Sequence, residues 1–210
     1  MKTRHRTNWQ LMIIGLIFFG LAGCKIEIEH ELWLNADDSG KAKVELRVNL
    51  PLISETEATT SLNSENVLEA LAQKVRNNPG TTLTELKTSS NHTAEDFTYI
   101  YTLDFSFANL QSLREVLFIS PDKGLSVEKI KKKKQLTIDM RQLAMQDEGQ
   151  SAEYLTMMDI ALILKLHLPQ KPKVISKEPS PTLKDKSVSW EFMLNDDYLA
   201  DAEKLLKVQY

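Results

Sequence analysis

The chain has 210 residues, is 42% hydrophobic and 26% charged, and carries a formal net charge of −3. A mildly acidic chain gives no general reason to expect nucleic-acid binding. A single cysteine excludes an internal disulfide, so a fold of this size must rest on packing.

Residues 1–10 hold Lys2, Arg4 and Arg6 and no acidic residue, and residues 11–23 (LMIIGLIFFGLAG) are uncharged and almost wholly apolar. A basic stretch, a short apolar run and small residues before a cut are the parts of a secretory signal peptide. Thirteen residues are too few to span a bilayer comfortably, since a spanning helix needs about 20. The run closes on Leu21-Ala22-Gly23-Cys24, which resembles the lipobox of bacterial lipoproteins. That resemblance implies a diacylglyceryl group on the Cys24 sulfur and cleavage before Cys24, giving a signal segment 1–23 and one extracytoplasmic domain, 24–210. It makes the membrane a partner, and the absence of Asp at Lys25 leans toward the outer membrane, on its periplasmic face. The signal takes three of the 26 basic residues and none of the 29 acidic ones, leaving the remaining 187 residues at −6.

Residues 26–34 alternate Ile26, Ile28, Leu32 and Leu34 with Glu27, Glu29, Glu31 and Trp33, with His30 on the inward side. Residues 42–50 alternate in the same way, with Ala42, Val44, Leu46, Val48 and Leu50 inward. Period two with one polar face predicts half-buried antiparallel strands, and the cluster Asn35 to Gly40 predicts the turn between them. Cys24 lies only two residues before the first inward residue, so the lipid would hold this hairpin close to the membrane.

Residues 54–63 read as a loop. Ser64 caps a predicted helix over 65–77, which Asn78-Pro79-Gly80 stops. A short strand is expected at 81–88 and a long one at 96–107, with Phe97, Tyr99, Tyr101, Leu103, Phe105 and Phe107 on one face. Asn109 caps a predicted helix over 109–117, and Pro121 to Gly124 make a turn. Strands at 125–130 and 135–141 flank the hairpin tip Lys131-Lys132-Lys133-Lys134. Residues 142–158 are weakly helical, and 160–168 alternate strictly, although Ala161 and Ile163 make the second face partly apolar. A final hairpin is expected from 173–178 and 187–194. The tail carries helical spacing over 196–207, with a closing strand at 206–210 as the alternative. The expected architecture is α+β: a curved antiparallel β-sheet with two or three helices packed on one face.

A lipobox leading into an alternating strand, an acidic-Ser-Gly turn, a second strand, a helix and a late Val188-Ser189-Trp190 strand resembles the bacterial LppM-type lipoprotein domain over roughly residues 24–194. The matching residues are Leu32, Leu34, Asp37, Ser39, Gly40, Val44, Val174, Pro179, Val188 and Trp190. Two features depart from it: Asp38 stands where the family's turn commonly has glycine, and no C-terminal apolar run is long enough to span a membrane. The resemblance implies an extracytoplasmic lipid-anchored domain, with lipid binding in some members.

No catalytic constellation is visible. His30, His92 and His167 lie far apart outside any metal-binding spacing, so no metal or cofactor is expected, and His30 and His167 read as satisfied core or edge histidines. Neither G-x-S-x-G nor a glycine-rich phosphate loop occurs. The aromatic stripe Phe97, Tyr99, Tyr101, Phe105 and Phe107 is most simply core; around a curled sheet the same side chains could line an amphiphile pocket. Lys131, Lys132, Lys133 and Lys134 are most simply a solvated tip; facing a membrane they could contact anionic headgroups. The expected function is a non-enzymatic envelope lipoprotein that binds a lipid or other amphiphile, the alternative being a structural or assembly lipoprotein contacting other envelope proteins.

Overall fold

The computed structural model of the chain describes residues 25–51, 64–92, 96–143, 159–176, 179–193 and 205–210. The described residues are mostly β, with three helices, and an α+β description fits them only loosely. Strand β1 (Lys25–Leu34) pairs antiparallel with β2 (Gly40–Pro51), in a register running from Lys25 opposite Asn49 to Leu34 opposite Gly40. The turn is held by side chains: the Asp37 carboxylate accepts hydrogen bonds from the Ser39 amide (3.1 Å) and hydroxyl (2.6 Å). Asp38 follows with φ 67, the left-handed conformation in which glycine costs least. Glycine is required at position 40, where a Cβ would stand 1.9 Å from the Trp33 carbonyl oxygen.

Helix α1 (Ser64–Asn77) leads into β3 (Thr81–His92), which pairs with β4 (Asp96–Phe107). β3 runs four residues beyond its expected end. Helix α2 (Leu110–Leu117) is capped by the Asn109 side chain, which accepts from the Ser112 amide, and a one-turn helix α3 (Pro121–Gly124) precedes β5 (Leu125–Ile130). β6 (Lys133–Asp139) starts two residues earlier than expected, so Lys133 and Lys134 are strand residues and the turn is Lys131-Lys132 alone. β7 (Asp159–His167), β8 (Lys173–Val174), β9 (Thr182–Lys184), β10 (Ser187–Met193) and β11 (Leu205–Gln209) follow. The expected loop at 54–63, and most of the weak helix over 142–158 and of the helical reading of the tail, lie outside the described residues. The strand alternative for the tail is the one that forms, over Leu205–Gln209.

The strands make two sheets, ordered β3-β4-β2-β1-β7-β10-β9 and β5-β6-β11-β8. This corrects the expected single antiparallel sheet in two ways. First, β1 and β7 are parallel, Lys25 lying opposite Asp159 and Trp33 opposite His167. Alternation reports which face of a strand is buried, and nothing about the direction of its neighbour. Secondly, the expected hairpin of 173–178 with 187–194 does not form. β10 turns back on β9 through Asp185-Lys186, with Asp185 at φ 51, while β8 pairs with β11 in the other sheet.

One core unites these layers. The inner face of the larger sheet supplies Ile28, Leu32, Val44, Leu103, Phe105, Leu164 and Trp190, and the smaller sheet supplies Leu125, Leu136, Ile138, Leu206 and Val208. α1 lies against β3 and β4, contributing Leu68, Leu71, Ala72 and Val75. His30 sits in the same core at 1% exposure, between Val44 on β2 and Leu164 on β7.

Candidate functional site

The aromatic stripe of β4 divides along its length. Phe105 lies opposite Ala42 on one side and Leu83 on the other, Phe107 opposite Gly40, and both are buried with Leu103. Phe97, Tyr99 and Tyr101 are only half-buried. Their rings form a ladder, Phe97 to Tyr99 at 4.7 Å between centroids and Tyr99 to Tyr101 at 6.3 Å. On the adjoining strand β3 the same face carries Leu86, Thr88 and Ser90, all exposed, opposite Leu103, Tyr101 and Tyr99. Inner-face burial therefore falls off along β4: these three rings still pack against the core but leave an aromatic corner half open.

That corner is at the end of the sheet where β1 begins. Lys25 lies opposite Asn49, and Asn49 lies opposite Thr98, between Phe97 and Tyr99. The Thr98 hydroxyl donates to the Asn49 side-chain oxygen at 2.7 Å, fixing this corner of the sheet. Cys24 itself is outside the described residues, one position before Lys25.

The lysines lie at the other end. Lys134 Nζ reaches Asp38 Oδ1 at 2.7 Å and the Ala36 carbonyl at 3.0 Å, both in the β1–β2 turn. Lys134 is thus held by the fold, while Lys131, Lys132 and Lys133 are exposed, Lys131 with φ 58. Ten strand residues separate this turn from Lys25, about 30 Å at the usual rise. Lysine tip and aromatic corner touch one flat bilayer together only if β1 lies along it.

The outer face of the larger sheet is a charged ladder. Lys43 and Arg47 both bind Glu45, at 2.6 and 2.5 Å, and Lys165 binds Glu29 at 2.8 Å. Burial works against ionisation of Glu45, but the hydrogen bonds and charges of Lys43 and Arg47 outweigh it and hold its pKa below the usual carboxylate value. At the β1–β2 turn end, His167 Nε2 lies 2.6 Å from Glu31 Oε1, and His167 Nδ1 lies 2.8 Å from Ser187 Oγ. The imidazole stacks on Trp33, with centroids 4.9 Å apart and planes within 4°. A carboxylate accepting from Nε2–H leaves Nδ1 to accept from the serine hydroxyl, which is the polarity of a nucleophilic relay. Ser187, however, is in a strand paired on both sides, with β7 and β9, and a strand ladder turns backbone N–H groups sideways instead of toward a face. The three side chains link β1, β7 and β10 as a clip.

Sequence reasoning placed His30 on the inward side but missed this clip, because Glu31 and His167 are 136 positions apart and meet only through the parallel pairing. It also took His30 as satisfied. Neither ring nitrogen of His30 has a hydrogen-bond partner among the described residues, nor has Trp190 Nε1. Burial lowers the His30 pKa to about 4, so the ring is neutral at pH 7. The side chain of His92 is outside the described set. Among the described residues no group of three or more His, Cys, Asp or Glu side chains is placed to hold a metal ion, and no helix is long and apolar enough to cross a membrane.

No protein-family model and no curated protein matches the chain. The resemblance to LppM-type domains rests on the residues that suggested it.

Proposed function

We propose that the protein is a non-enzymatic lipoprotein of the bacterial cell envelope, anchored by a diacylglyceryl group on Cys24, whose domain binds lipid or another amphiphile at the membrane surface. The observation that carries this reading is the junction of Leu21-Ala22-Gly23-Cys24 with Lys25, the first residue of a strand near the middle of the seven-stranded sheet. With no linker between them, an acylated Cys24 would couple the sheet directly to the bilayer. Two acyl chains or more give stable anchoring where one is marginal. The half-open aromatic corner beside Lys25 supplies an apolar surface at the same end. In this reading the outer membrane, on its periplasmic face, is the favoured location, and the domain belongs with the LppM-type lipoproteins.

Radioactive palmitate tests the anchor. Wild-type protein should be labelled and Cys24→Ser should not; persistent label on Cys24→Ser would remove the lipobox assignment. Native mass spectrometry of residues 25–210 purified without detergent tests amphiphile binding, with a bound lipid-sized mass expected and Tyr99→Ala combined with Tyr101→Ala, both half-buried, expected to reduce it.

A structural or assembly role through sheet edges is favoured by β3. This strand of twelve residues closes one end of the larger sheet and is mostly exposed. Unpaired edge groups of this length can template a partner strand. Pull-down of an envelope protein whose capture is lost on Lys87→Pro would support that role.

A further inference from the structure

We propose that Phe97, Tyr99 and Tyr101, with Leu86 beside them, form a docking face that sits in the interfacial zone of the bilayer itself. This rests on the Cys24 anchor and names the amphiphile: the phospholipid of the membrane to which the chain is tied.

Three observations converge. The first is where the preceding chain arrives. From Lys25 the sheet steps to Asn49 and then to Thr98, so the anchor point is two strand spacings, about 10 Å, from the centre of the aromatic ladder. Acyl chains starting at Cys24 enter the bilayer within a headgroup's width of those rings. The second is the extent of the exposure. Phe105 and Phe107 of the same stripe are 1% and 3% exposed, whereas the three aromatics nearest the anchor are half-buried. Burial falls off where membrane contact would start. The third is composition. Two tyrosines and a phenylalanine stand beside Thr88 and Ser90 of the neighbouring strand. Aromatic rings among small polar groups suit the headgroup boundary, where one part of each side chain meets hydrocarbon and another meets water. A fully apolar patch would suit a protein core or a deep acyl pocket better.

The orientation follows. With the aromatic corner down, β1 stands away from the membrane, and the Lys131-Lys132-Lys133 tip projects about 30 Å outward, beyond the reach of anionic headgroups. Lys131 to Lys134 are then a solubilising and structural tip, with Lys134 committed to Asp38.

Acylation consumes the only thiol of the chain, so Ser90→Cys and Lys132→Cys each create a unique labelling site in the lipidated protein. Both positions are exposed, and Ser90 lies opposite Tyr99. The labelled lipoproteins are reconstituted into phosphatidylethanolamine–phosphatidylglycerol vesicles carrying brominated acyl chains. Docking predicts quenching of a fluorophore at position 90 and none at position 132. Equal quenching at the two sites, or stronger quenching at 132, in protein that floats with the vesicles overturns the docking face while leaving the anchor intact. A co-purified amphiphile with an unquenched label at 90 also overturns it, in favour of a separate ligand. If palmitate labelling fails, the same label at 90 is read in a Cys24→Ser background. Vesicle binding that weakens at least about tenfold on Phe97→Ser, Tyr99→Ser and Tyr101→Ser together keeps the docking face without the anchor. Absence of such binding removes both. The quenching comparison uses the intact aromatic corner, so it does not depend on the triple variant folding.

Discussion

Glu31 on β1 and His167 on β7 meet at 2.6 Å although 136 positions separate them. The contact exists because β1 and β7 run parallel, which brings Trp33 opposite His167 and sets Glu31 diagonal to it. Ser187 completes the link to β10. The clip therefore ties together three strands that arrive from distant parts of the chain. His167→Ala should destabilise the fold by about 1 kcal/mol, a modest value because the pair is partly exposed to solvent. Ser187→Ala should cost about 0.5 kcal/mol or less, since its partner keeps Glu31. Urea unfolding curves give both numbers. Covalent labelling of Ser187 by a fluorophosphonate that disappears in His167→Ala would instead mark the three residues as a working relay.

His30 makes stability depend on pH. Its ordinary pKa is 6.5 and its folded value is about 4, so between these limits the unfolded chain binds more protons than the native one. Stability from this residue is complete above about pH 6.5 and is lost as the pH falls toward 4. The loss reaches on the order of 3 kcal/mol. His30→Leu removes an unpaired buried ring at similar volume and should stabilise the protein at pH 7 by about 1–3 kcal/mol. It should also flatten the dependence over this interval. Denaturant midpoints at pH 7, 5.5 and 4.5 read both effects. An unchanged slope in His30→Leu would show that other groups control it.

The two ends of the aromatic stripe should respond differently to truncation. Phe105→Ala opens a cavity in the core and should cost about 3–5 kcal/mol. Tyr99→Ala removes a half-buried ring and should cost under about 2 kcal/mol. Thermal unfolding in detergent-free buffer compares them. Similar losses would mean that the corner is packed as tightly as the core.

The β1–β2 turn offers two tests of backbone geometry. Gly40→Ala drives a methyl group into the Trp33 carbonyl and the Phe107 ring, and should cost about 3 kcal/mol. Asp38→Gly relieves a left-handed backbone but forfeits the Lys134 contact, and the two should nearly cancel, to within about 0.5 kcal/mol. In a Lys134→Ala background the same change should stabilise, because only the backbone relief remains. A double-mutant cycle on chemical denaturation midpoints separates the two contributions.

Much of the secondary structure was legible in the residues. The alternation of Ile26 to Leu34 and Ala42 to Val48, with a turn cluster between, determined the first hairpin and its inward faces, because a period of two with one polar side leaves little choice. Asn109 marked the start of α2 for a local reason: its side chain caps an amide three residues on. The left-handed position at Asp38, where related turns were expected to have glycine, was also visible as a departure. The proposed lipobox at Cys24 is likewise a linear pattern, read from neighbouring residues alone. Two things needed the tertiary structure. Which strands are neighbours, and in which direction, depends on loop closures and face-to-face packing that no local pattern encodes. Ala161 and Ile163 on the second face of β7 hinted only that it is buried on both sides. The division of the β4 stripe was likewise hidden, because Phe97 and Phe107 repeat at the same spacing. Where the inner face stays covered is decided by α1, the smaller sheet and β3, and that coverage buries Phe105 while leaving Tyr99 half open beside the residue that follows Cys24.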